Sequence, residues 1–119
     1  MATIKNFKFS EFDSPDHKGS GVNMDIGFLQ MLDNARTYAG IPFKINSGYR
    51  TTKHNKKVGG TKSSSHLRGL AADISCTDSN TREKITRALI KAGFNRLGIA
   101  KTFIHCDTDN TKKPAIWLY

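Results

Sequence analysis

No stretch of this 119-residue chain approaches the roughly 18 uninterrupted apolar residues of a membrane-crossing helix, so insertion into a bilayer is not expected. The opening segment MATIKNFKFSEFD lacks the apolar centre of a signal peptide, and the protein reads as one made in the cytoplasm without an export signal of its own. Cysteine is scarce. Cys76 and Cys106 are too few for a disulfide framework or a four-cysteine zinc site, and they read as buried thiols of a reducing compartment. Acidic residues are missing altogether from position 34 to position 72. Aromatics are thin there too, with only Tyr38, Phe43 and Tyr49, which is little for a base-stacking platform.

What remains is the composition of a folded globule, with 37% hydrophobic and 24% charged residues. At this length about 65% of the unfolded surface can be buried, enough for one core, so residues 1–119 are expected to form a single domain and a monomer. The net charge is +9, and eight Lys or Arg fall between Arg36 and Arg68. Such a field draws a polyanion, either nucleic acid or the anionic envelope of a bacterium, and charge alone does not choose between them.

Periodicity predicts two helices. The first spans residues 24–39, with Ile26, Leu29, Leu32 and Ala35 on one face, Asn23 as N-cap and Gly40 beyond its end. The second spans residues 81–92, with Ile85, Ala88, Leu89 and Ala92 in a stripe and Asp78 or Ser79 as cap. Phe43 and Ile45 alternate with polar residues in a short strand, and residues 70–75, 97–100 and 102–108 read as further strands, with residues 116–119 a candidate for a last one. Residues 48–69 form a long polar loop with room for one helical turn near residues 53–58, and loops of that length in small domains are usually functional. This order lacks strict βαβ alternation. The expected fold class is therefore α+β, a small, mostly antiparallel sheet with helices on one face and the other face free for a site.

Two patterns carry chemistry. In S-S-H-L-R-G-L-A-A-D, His66 precedes Asp73 by seven residues across a turn that Gly69 permits. In F-I-H-C-D, His105 and Asp107 lie two apart on a strand and so share a face, with Cys106 turned to the other side. Two histidines and a carboxylate are what a catalytic zinc site uses, three protein ligands with a fourth position open. Standing alone, each histidine is more simply a solvated loop residue, which is the reading kept for His17 and His54.

The stretch NKKVGGTKSSSHLRGLAADI, residues 55–74, resembles the S-x-H-x-x-G-x-A-x-D signature of the zinc D-alanyl-D-alanine carboxypeptidase and peptidoglycan endopeptidase family, which shares its fold with the hedgehog signalling domain. FIHCD resembles that family's H-x-D signature, and KFSEFDSPD and IPFKINSGYRT resemble short, phage-type members. The resemblance implies that His66, Asp73 and His105 bind Zn2+, and that Arg50 holds a substrate carboxylate or the developing oxyanion. It also places Ser64 at the substrate or as an orienter of its loop. Several branches keep an acid three residues before the last histidine, where this chain has Thr102. Asp107 is the nearest substitute, as catalytic base or as orienter of His105, with a swap into the metal shell left open and His54 in reserve as base.

The function so implied is a zinc peptidase that cuts a stem-peptide or cross-link bond of bacterial peptidoglycan, endolysin-like and encoded by a phage or prophage, acting on the wall after release. No nucleic acid partner is expected under that reading. The rivals are a basic nucleic-acid-binding module and a catalytically silent zinc domain of the hedgehog type.

Overall fold

A computed structural model describes residues 4–119, and the chain adopts the expected α+β architecture. Helix α1 (Ile26–Ala39) is capped by Asp25, whose carboxylate accepts the Phe28 N–H, and ends at Gly40 in the left-handed conformation, φ +68°. The expected cap Asn23 instead closes a 3-10 turn, Ser20–Asn23, so the helix starts later than the apolar pattern suggested. Helix α2 (Thr52–Lys57) is the turn anticipated in the long loop. Helix α3 (Ser79–Lys91) is capped by Asp78, which accepts the Thr81 N–H.

Strands β1 (Ile45–Ser47), β2 (Ala71–Ser75), β3 (Arg96–Ile99), β4 (Phe103–Asp107) and β5 (Ala115–Leu118) form one sheet in the order β1-β2-β4-β3-β5. Pairing is antiparallel except between β3 and the edge strand β5, which run parallel. A chain leaving β4 and crossing to the far side of β3 has to arrive in β3's own direction.

Strand alternation sends Ala72, Ile74, Leu97, Ile104 and Cys106 to one face. There they join Phe28, Leu29, Leu32, Ala35, Ile85, Ala88 and Leu89 of α1 and α3 in a single apolar cluster. Both cysteines are buried and free, and burial pushes the Cys106 thiol well up. The opposite face carries Asp73, His105, Asp107, Arg96, Gly98 and Trp117. The helices leave it open, and the loop at residues 59–66 borders it.

Candidate metal centre

The turn between α2 and β2 sets the first histidine. Residues Ser65–Arg68 form a 3-10 turn capped by Ser64, whose Oγ accepts the His66 N–H at 3.3 Å. The turn is closed by Gly69 at φ +68°, where a Cβ would stand 2.4 Å from the Asn23 carbonyl oxygen, so neither the dihedral nor the space admits another residue. The Arg50 N–H donates to the His66 carbonyl, and the His66 ring returns a bond from Nδ1 to the Gly48 carbonyl at 2.8 Å. Because a carbonyl only accepts, Nδ1 carries a proton, and in the neutral ring Nε2 is the nitrogen with a lone pair to present.

Asp73 and His105 are directly opposite each other on β2 and β4. His105 Nδ1 lies 2.9 Å from Asp73 Oδ1, and His66 Nε2 lies 3.5 Å from the same oxygen. One donor atom from each of the three residues falls within 4.8 Å of the others. A four-coordinate zinc with bonds of about 2.0–2.1 Å sets its donors about 3.3 Å apart, so the spacing and the donor types both fit that ion. Burial acts to raise the Asp73 carboxyl, but the His105 and His66 rings, which donate to it only when protonated on both nitrogens in the metal-free protein, outweigh it and hold Asp73 well below the usual carboxylate range. Burial likewise acts to lower His105, and the Asp107 and Asp73 carboxylates reverse the sign.

Both oxygens of Asp107 are hydrogen-bonded. Its Oδ2 accepts from His105 Nε2 at 2.7 Å, and its Oδ1 accepts from Arg96 Nε at 2.8 Å and from the Asp109 N–H at 3.1 Å. Fixing Nε2–H on His105 leaves Nδ1, on the Asp73 side, as the nitrogen able to give a lone pair to a metal, which is the work of an orienting carboxylate. Oδ1 carries two bonds and Oδ2 one, so a proton taken by Asp107 would have to go to Oδ2.

Arg50 stands at the rim. Its Nε donates to Ser47 Oγ and one terminal nitrogen to Asn55 Oδ1, each at 3.3 Å, while the other terminal nitrogen lies 3.8 Å from Asp73 Oδ2. Ser64, Arg50, His66, Asp73, His105 and Asp107 all border one cavity of about 410 Å³. Thr102 is exposed and outside that lining, and His54 lies in a separate cavity beside Asp16, Lys53 and Lys57.

Compared with models of known protein families, residues 5–107 match the one described as Peptidase M15. The chain belongs to that family. Its members are zinc-dependent, which makes this protein a metallopeptidase by class and His66, Asp73 and His105 the set available to the metal. A search of curated proteins returns no match.

The M15 cavity also contains residues that sequence reasoning passed over: Arg96, Lys112, Trp117 and Tyr119. Trp117 sits 5.5 Å from the His105 ring, centroid to centroid, with the Arg96 guanidinium against it at 4.9 Å. Its placement depends on Gly98, where a Cβ would meet the indole at 2.6 Å and the Tyr119 ring at 2.7 Å. Parity along β3 was the available signal for Arg96. For Trp117 no signal existed without the β5 register.

Proposed function

We propose that the chain is a peptidase of the bacterial cell wall that hydrolyses a peptide bond of the peptidoglycan stem or cross-link, acting as a phage or prophage endolysin. The observation that carries the reading is the convergence of His66, Asp73 and His105 on one point at the floor of an open cavity with Arg50 at its rim. In this reading those three residues hold Zn2+, which when bound supplies Lewis acidity toward a scissile carbonyl and toward water. Arg50 offers its planar fork to a substrate carboxylate, steadied by Asn55 and Ser47. Asp107 keeps His105 in the tautomer that presents Nδ1, and Ser64 holds the His66 turn, so both are positioning residues. The exposed lysines of α2, Lys53, Lys56 and Lys57, attract an anionic wall.

A silent zinc domain has one observation in its favour: of the carboxylates lining the cavity, Asp73 belongs to the metal cluster and Asp107 has both oxygens hydrogen-bonded. One experiment decides. Purified peptidoglycan is digested with the zinc-loaded protein, with and without chelator, and the released fragments are identified by mass. Chelator-sensitive release of stem or cross-link fragments is expected, and their termini name the bond. Full zinc occupancy with no release would establish the silent domain.

A further inference from the structure

Beyond the cavity floor, the carboxylate of Asp109 is fully buried, yet it takes no part in the metal cluster and belongs to neither sequence signature. Its bonds run in two directions. Toward the turn that carries His66, Oδ2 accepts from Ser65 Oγ at 2.6 Å and from the Arg68 guanidinium, with Lys112 Nζ at 3.5 Å. Toward its own loop, Oδ1 accepts from Thr111 N–H at 3.1 Å and Thr111 Oγ1 at 2.6 Å. Its own N–H donates to Asp107 Oδ1, and Asp107 holds His105. The same two segments are laced again by Lys112 Nζ on the Ser63 carbonyl and by Thr108 N–H on the Leu70 carbonyl.

We infer that Asp109 is a positioning residue of the metal centre, the point at which the support of His66 and the support of His105 are joined. Resting on the reading that His66, Asp73 and His105 hold zinc, this assigns it a role in the separation of the two histidines. The His66 ring is held through Nδ1 on the Gly48 carbonyl, and the far side of its turn is anchored through Ser65 and Arg68 on Asp109. Without the carboxylate, the half-exposed Arg68 turns to solvent and Ser65 loses its acceptor. The turn is then free to shift relative to β4, and His66 Nε2 with it. Burial works to raise the Asp109 carboxyl, but the bonds from Ser65, Thr111 and Arg68 hold it well below the usual range, in keeping with a permanently ionised anchor.

A purely structural carboxylate would cost stability and nothing else, and Asp33 supplies that comparison. It is equally buried and accepts from Lys5 N–H, Asn6 N–H and Asn6 Nδ2, remote from the cavity. The test measures zinc dissociation by chelator competition, and the visible spectrum of the cobalt-substituted protein, for the parent, Asp109→Asn, Ser65→Ala and Asp33→Asn. Both aspartate variants should melt at lower temperature. Only Asp109→Asn should weaken zinc, by about 10- to 100-fold, and alter the cobalt bands. Ser65→Ala, which removes one bond and leaves the charge in place, should shift both readouts in the same direction by less, and it serves if Asp109→Asn does not fold. Zinc affinity at the parental value in the Asp109 and Ser65 variants, or an equal loss in Asp33→Asn, would overturn the inference while leaving the zinc reading intact. A parent that takes up no zinc would overturn both.

Discussion

Along β4, Ile104 and Cys106 face α1 and α3 with no exposed surface, while Phe103, His105 and Asp107 face the cavity. One five-residue strand thus serves two environments that are stabilised differently. On the helix side, energy is spread over many weak contacts, at about 25 cal/mol per Å² of apolar surface removed from water, and no single atom has to be in one place. On the cavity side, it is concentrated in a few directional bonds among buried charges, where each removal leaves a partner unpaired. Among the described residues every buried polar side-chain atom does find a partner. The apolar face therefore contributes to folding alone, whereas the polar face contributes to folding and also orients what the folded chain holds.

Substitutions on the two faces should separate those outcomes. The largest effect is expected from His66→Ala: zinc content, about one per chain in the parent, should fall to near none after dialysis, and peptidoglycan turnover should fall to background. Elemental mass spectrometry with the fragment assay reads both, and retained zinc would break the assignment. Next in size, Ile104→Ala should cost about 2–5 kcal/mol in denaturant unfolding, while the fraction that remains folded keeps its zinc. Loss of zinc at full fold would show that the faces are not independent.

Asp107→Asn sharpens the comparison on the cavity side alone. An amide that keeps the Arg96 and Asp109 bonds turns an N–H toward His105 Nε2–H, favouring the tautomer with the proton on Nδ1. Zinc affinity by chelator competition should drop about 10- to 100-fold. Unchanged affinity with turnover reduced about 10²- to 10⁴-fold would instead make Asp107 the base.

The smallest effect concerns acid. Asp73 and Asp109 titrate below their unfolded values, so the folded chain binds fewer protons than the unfolded one. The stability they contribute is present above about pH 4 and is lost as pH falls through the folded values. Thermal melts of metal-free protein at descending pH should decline there, with Asp109→Asn declining less. Equal declines would remove Asp109 from the account.

Helices α1 and α3 and strands β2 and β4 were legible because each is a local pattern, 3.6-fold or two-fold, closed by a cap or a glycine. The cavity-side pairing of His105 with Asp107 followed from the same two-fold rule. What escaped is whatever depends on a partner distant in sequence. Asn23 and Asp25 are both acceptable caps, and the bond from Asp25 N–H to the Gly69 carbonyl favours the later start. The parallel placement of β5 beside β3 is a property of two short segments meeting, so Trp117 over Gly98 had no local signature. Asp109 looked like one more loop acid because its partners Ser65 and Arg68 lie more than forty positions earlier.

Cys106 gives β4 a built-in clock. Its thiol has no solvent contact and lies between His105 and Asp107 in sequence, so a bulky disulfide reagent reaches it only when the strand detaches from its neighbours. The labelling rate in a Cys76→Ala background therefore counts openings of the very segment that bears the third proposed ligand. An ion shared by β2 and β4 would slow that count in proportion to its occupancy, so the strand's breathing is readable as a titration curve for metal without any substrate present.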